Sequence, residues 1–240
     1  MKKVKDLLYP LRHTPLHPQW LIYSSERTVD DWIKAEARGV VVDIGCADQS
    51  LKKKLPHDCT YIGLDYPGTV DTMYKTKPTV FGDAHQPPFA RNSIDTVALL
   101  EVLEHLADPE TALRECCDVI KENGTLLLSI PFLYPVHDAP ADYQRFTRFK
   151  LDLLLSANGM VVDQSVSIGQ PAVTAAAMLN IALAKSVINA LRRKHYFLIF
   201  GVLLPVLIPV VNLFGWLLGK LSPDDDFMPH NIFIVARKRG

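Results

Sequence analysis

Val40-Val41-Val42-Asp43-Ile44-Gly45-Cys46-Ala47-Asp48 is the stretch whose reading decides the fold. β-Branched apolar residues favour extended backbone. A run of them without polar alternation fits a strand buried on both faces of a parallel sheet. The run stops in an acid and then a glycine, which marks a tight turn at the strand's carboxyl end. Open α/β sheets bind ligands at that end. Tyr61-Ile62-Gly63-Leu64-Asp65 repeats the pattern and also finishes in an acid. That acid follows the glycine turn by about 20 residues, the spacing at which a carboxylate meets ribose hydroxyls. Together the two runs point to an adenosine-containing cofactor.

Outward from this centre, Glu26 to Arg38 has helical composition and Gly39 stops it. Residues 1–25, punctuated by Pro10, Pro15 and Pro18, read as an extended arm. Gln49 to Leu55 reads as a short helix ended by Pro56, its N-terminus toward the cofactor pocket. Further strands are expected at Tyr61–Tyr66, Thr79–Ala84, Ile94–Leu100, Thr125–Ile130, Met160–Ile168 and Asn231–Arg237. A helix capped by Asp108-Pro109 runs to Ile120, and another runs from Thr147 to Asn158, stopped by Gly159. Strands alternating with helices give an α/β fold with a doubly wound sheet.

The 240 residues carry 26 basic and 26 acidic side chains. No net field favours nucleic acid, and no nucleic-acid partner is expected. Four cysteines form no CxxC pair, so free thiols are expected. His13 and His17 lack companions at ligand spacing, and no metal site is expected. No apolar stretch follows Met1-Lys2-Lys3, so a signal peptide is not expected.

The order Val-Val-Asp-Ile-Gly-Cys-Ala, Gly-Leu-Asp, Gly-Asp-Ala, Ser-Ile-Asp-Thr-Val, Glu-Val-Leu-Glu-His-Leu and Gly-Thr-Leu-Leu-Leu-Ser-Ile-Pro resembles class I S-adenosylmethionine-dependent methyltransferases of type 11. The resemblance covers about residues 27–170 and the final strand. It implies a Rossmann-like seven-stranded sheet with an antiparallel last strand. It also implies that Asp43, Gly45, Cys46 and Ala47 surround the methionine part of the cofactor, and that Asp65, followed by Tyr66, takes the ribose. Asp83 and Ala84 would flank the adenine, with Leu100 and Glu101 lining the pocket floor. A second glycine is usual at Ala47, and alanine is accommodated if φ stays negative. Glu104 is expected to be solvated. For His105 a cap and a functional role are both open.

Methyl transfer from a sulfonium needs alignment and, for a hydroxyl acceptor, a base. The polar, aromatic loop Pro131–Thr147 follows the fifth strand. In it His137, beside Asp138, is the expected base, with Tyr134, Asp142 and Arg145 around it. Arg145 suits an anionic acceptor group, or else pairs with Asp142 to brace the loop. This block is similar to one in methyltransferases of bacterial surface-glycan synthesis.

Tyr196–Leu221 has no charge before Lys220 and is long enough to cross a bilayer. Pro205 and Pro209 predict a break in it. Arg192-Arg193-Lys194-His195 would favour an anionic cytoplasmic surface, and Tyr196 and Trp216 suit interfacial depth. The expectation is a broken, in-plane or re-entrant helix that attaches the protein to the inner membrane through residues 192–221. A two-span hairpin, an apolar cap on the sheet and a dimer interface are the alternatives. The expected division is an arm at 1–25, a cofactor-binding domain at 26–170 with 229–240, and a helical apolar insertion at 171–228 between strands six and seven. The expected function is methyl transfer to a lipid-linked glycan precursor or related small-molecule acceptor at the cytoplasmic membrane face. A quinone-like lipid and a non-catalytic cofactor-binding regulator are the alternatives, and oligomeric state is left open.

Overall fold

The structure is a computed structural model that describes residues 9–69 and 76–240. Met1–Leu8 of the expected arm lie outside the described residues. Seven strands form one sheet in the order β3-β2-β1-β4-β5-β7-β6. They are β1 Val40–Ile44, β2 Thr60–Asp65, β3 Val80–Phe81, β4 Ile94–Leu100, β5 Ile120–Pro131, β6 Met160–Ile168 and β7 Asn231–Lys238. The β1, β2, β3, β4 and β5 pairings are parallel, and β7 runs antiparallel to β5. Strand order reverses between β1 and β4, so a crevice opens at their carboxyl ends. The two central strands are apolar because both faces are covered: Val41, Val42, Ile44, Val97, Ala98 and Leu99 are fully enclosed.

The helices are α1 Trp20–Glu36, α2 Pro109–Val119, α3 Arg148–Ala157, α4 Pro171–Arg193 and α5 Leu204–Leu221. Asp108 caps α2 by accepting from the Thr111 N–H, and Thr147 caps α3 by accepting from the Lys150 N–H. Four boundaries differ from expectation, the third strand being only Val80–Phe81 where Thr79–Ala84 was expected. The first helix begins at Trp20, so the end of the expected arm is helical from Trp20 onward. Residues 50–53 form one 3₁₀ turn rather than a helix. The fifth strand begins at Ile120, directly after α2, and Asn123 turns inside it at φ +60°.

The chain forms two compact units. The sheet unit comprises Thr28–Phe132, Val136–Val166 and Asn231–Gly240. The helical unit comprises residues 9–27, Leu133–Pro135 and Ser167–His230. Within the helical unit, α4 and α5 pack through small residues. A Cβ on Gly215 would stand 2.3 Å from the Ala176 Cβ, so only glycine permits that approach. Asn180 and Asn212, both fully buried, join the two helices by a 2.9 Å hydrogen bond. Asn212 also donates to the carbonyls of Pro15 and His17. The expected break in the apolar run falls at Leu203/Leu204, where a 3₁₀ segment Tyr196–Leu203 passes into α5. Pro205 sits in the first turn of α5, and Pro209 lies inside α5 without ending it.

Candidate active site

The turn after β1 is held from β2: the N–H groups of Gly45 and Cys46 both donate to the Leu64 carbonyl. Gly45 has φ +71°, and a Cβ there would lie 2.7 Å from Val102 Cγ2, so the turn excludes any side chain. Asp65, at the end of β2, is buried. Its two oxygens accept the N–H groups of Ala47 and Tyr66, each at 2.8 Å. Each oxygen keeps a further lone pair. Tyr66 is exposed beside it. Ala47 adopts φ +46°, not the negative φ its side chain prefers, a strain of about 1–2 kcal/mol. The Ala47 N–H bond to Asp65 is what holds it there.

Asp43 braces the turn. Its carboxylate accepts from the Tyr61 hydroxyl at 2.8 Å, and burial pushes its pKa up to about 7. Burial likewise pushes the Cys46 thiol up to about 12. Asp83 is exposed after β3. The backbone N–H of His85 bonds it and holds its carboxyl below the usual range. Ala84 is buried and Leu100 half-buried.

Glu101 follows β4 at φ +58°, an unfavourable conformation for a non-glycine residue. The residue is exposed, and its carboxyl accepts hydrogen bonds from Ser129 and Asn231. Desolvation of the carboxyl raises it above the ordinary range, against the pull of those two hydrogen bonds. Three residues on, the Glu104 side chain has 0% exposure, and neither oxygen has a hydrogen-bond partner. Burial and the neighbouring Glu101 push its pKa up to about 9. The expectation that Glu104 is solvated is therefore corrected. The cause is the loop after β5, which closes over the segment. Tyr143 N–H donates to the Glu104 carbonyl, and the Gln144 amide donates to the carbonyls of Leu103 and Leu106.

His137, Asp142 and Arg145 come together in that loop. Arg145 forms a two-point pair with Asp142 at 2.5 and 2.9 Å, which holds the Asp142 carboxyl well below the usual range. Asp142 also accepts the backbone N–H of His137, and its Oδ2 lies 3.2 Å from His137 Nδ1. Asp142, rather than the adjacent Asp138, is thus the acid beside this imidazole. His137 Nε2 is 3.9 Å from Glu104 Oε1, and His105 Nε2 is 3.6 Å from the same oxygen. The two rings meet edge to face at 4.9 Å. His105 thus lies in one cluster with Glu104 and His137. Tyr134 belongs to the helical unit, where its hydroxyl is hydrogen-bonded to the Gln19 amide.

A nucleoside-bearing cofactor fits the first half of this arrangement. The glycine turn is free of side chains, and the strand-end carboxylate of Asp65 has acceptor capacity to spare. Residues 42–128 match the family model described as a methyltransferase domain. A ubiquinone biosynthesis O-methyltransferase of Shewanella sp. (strain ANA-3) is 28% identical over 100 residues, covering 37% of this chain and 42% of that protein. The chain thus spans less than half of that curated relative. An S-adenosylmethionine-dependent methyltransferase from Archaeoglobus fulgidus superposes with a TM-score of 0.55 at 15% identity, covering 96% of this chain and 99% of that one. The [4+2]-cyclase SpnF superposes equally well, with a TM-score of 0.55 at 15% identity and coverage of 99% and 94%. These two likenesses establish the fold.

Proposed function

We propose that this chain, whose sheet carries a class I S-adenosylmethionine-dependent methyltransferase domain, transfers a methyl group to a hydroxyl-bearing acceptor at a membrane surface. S-adenosylmethionine, when bound, supplies an electrophilic methyl on a sulfonium with a neutral leaving group. The chain's own residues have two tasks. Gly45, Asp65, Tyr66 and Glu101 bind and orient the nucleoside side of the site. The Glu104–His105–His137 group serves the acceptor's hydroxyl, with His137 held by Asp142. The observation that carries this reading is the position of Glu101. It directly follows β4 at the carboxyl end of the strand, and three residues on Glu104 gathers with His105 and His137 within 4.8 Å.

The membrane part of the reading is supported by the helical unit. Pro171–Arg193 and Tyr196–Leu221 are long and apolar enough to cross a membrane, and the second is almost wholly uncovered by protein. Tyr196, Ile199 and Val202 are more than 70% exposed, next to Arg192, Arg193, Lys194 and His195. An apolar surface bordered by cations suits the anionic cytoplasmic face of an inner membrane, with the helix lying in its plane. The similarity of the His137 loop to glycan-synthesis enzymes favours a lipid-linked glycan precursor as acceptor. The name of the Shewanella relative favours a second reading, a quinone-like lipid.

Membrane extract incubated with methyl-labelled cofactor tests this directly. Label in a lipid-linked glycan or in a quinone identifies the acceptor. Cofactor binding without label in any lipid supports a regulatory protein instead. His137→Asn is expected to retain cofactor binding and to lose turnover by about 100-fold or more.

A further inference from the structure

We infer that Glu104, His105 and His137 form a binding site for one divalent transition-metal cation. One ligand atom from each of the three residues lies within 4.8 Å of the other two. Two of the separations, 3.6 and 3.9 Å, are measured to the same Glu104 oxygen. Around a tetrahedral centre with bonds of roughly 2.1 Å, ligand atoms stand about 3.4 Å apart. The group therefore closes on a cation with side-chain shifts of well under an ångström at those two edges.

Glu104 independently points to a ligand. A carboxyl group with no exposure and no hydrogen-bond partner on either oxygen is costly whether ionised or protonated. Its Oε1 lies 3.6 and 3.9 Å from two imidazole nitrogens, which a cation would bridge to it. Both rings are presented in the orientation a metal requires. His105 Nδ1 lies 2.7 Å from the Ala141 carbonyl, which can only accept, so Nδ1 carries the proton and Nε2 has its lone pair toward Glu104. His137 turns its Nε2 toward the same Glu104 oxygen, at 3.9 Å, and its Nδ1 toward Asp142 Oδ2, at 3.2 Å. A carbonyl behind one ligand histidine and a carboxylate behind the other are the usual outer supports of a metal centre.

Two imidazoles and one carboxylate suit zinc, iron, cobalt or manganese better than magnesium or calcium, and three protein ligands leave coordination positions open. What the cation does there rests on the methyl-transfer reading: an open position would take the acceptor's hydroxyl oxygen and make its proton easier to lose. The site itself does not depend on that reading.

Titration of the metal-stripped full chain with Co²⁺, in the absence of cofactor and acceptor, tests the inference. One equivalent is expected to bind, with visible absorption typical of nitrogen and oxygen ligands. Two exchangeable imidazole N–H resonances should show strong paramagnetic shifts, one for each histidine. Glu104→Gln and His137→Asn are each expected to weaken Co²⁺ binding by more than about tenfold, the lower edge of what loss of an outer support costs. The wild-type spectra stand even if Glu104→Gln does not fold. Absence of binding to the folded wild type overturns the site, as does binding with no shifted imidazole protons or binding unchanged in both variants. In that event an ordered water, not a cation, satisfies Glu104. Cofactor affinity measured on the same samples reports separately on the methyl-transfer reading.

Discussion

The two units of this chain sort polarity in opposite ways. In the sheet unit, Val41, Val42, Leu126, Leu127 and Leu128 are sealed from solvent, and charge stays outside except around the cleft. In the helical unit the polar Thr174, Asn180 and Asn212 are sealed alongside a small apolar core of Leu21, Ala176 and Ala177. Its large apolar residues, Ile199, Val202, Val206 and Phe214 among them, face outward. Water-facing domains follow the first pattern, because removing apolar area from water is what drives their folding. The second pattern is stable where the surroundings are themselves apolar. Helices there associate through small residues and interior hydrogen bonds, the means that Gly215 against Ala176 and Asn180 against Asn212 supply. On the membrane reading proposed above, one polypeptide carries two solvent preferences, and a broad exposed apolar surface on a folded unit marks an interaction site.

The contrast is most easily broken at the outward apolar face. Ile199→Glu, Val202→Glu and Val206→Glu combined should leave the thermal midpoint of the sheet unit unchanged. They should reduce cosedimentation with anionic phospholipid vesicles by roughly 100-fold or more, each lost side chain removing about 1.5 kcal/mol or more of apolar burial. A wild-type chain that never sediments with vesicles would end the membrane reading.

Inside the sheet unit Asp43 is one of the exceptions to apolar sealing. Its carboxyl titrates near 3.8 when unfolded and near 7 when folded. Between those values folding takes up a proton, so this group costs nothing below pH 4. Its penalty grows as pH rises and is complete above pH 7, where it approaches about 4 kcal/mol. Chemical denaturation of Asp43→Asn against wild type should show near-equal stability at pH 4 and the variant ahead at pH 8. A difference independent of pH would mean that Asp43 is solvated.

The smallest expected effect is at Ala47. Ala47→Gly relieves the positive φ and should raise unfolding stability by about 1 kcal/mol, with a modest gain in cofactor affinity read by calorimetry. Loss of stability would show that the methyl group makes contacts worth more than the strain.

What could be read from the chain follows the range of the forces involved. The β1 run, the Asp108 and Thr147 caps, the stop at Gly159 and the whole of β6 are local signals, and each lies where its residues place it. The ends of the β4–α2–β5 segment were also legible, but the direct passage from Val119 into β5 was not, because pairing with β4 extends the strand past Asn123-Gly124. The helical start at Trp20 is masked in the sequence by Pro10, Pro15 and Pro18, which point to an extended arm. Asp65, Glu101 and His137 stood out by motif. The burial of Glu104 did not, since it depends on Tyr143 and Gln144 folding back across some forty residues of sequence. A carboxylate followed by a histidine reads as solvated until that loop is in place.

The chain leaves the sheet at Ile168 and returns at His230, whose N–H donates to the Ile168 carbonyl at 2.9 Å. β6 and β7, on either side of this point, are adjacent in the sheet. The whole excursion is therefore a loop closed at its base. The entropy of closing such a loop grows only by about 0.6 kcal/mol for each doubling of its length. The sheet is accordingly almost indifferent to the size of what is tethered there. Two neighbouring crossover points suffice to lengthen, exchange or excise the helices while the strand pairing, and the crevice it creates, stay as they are.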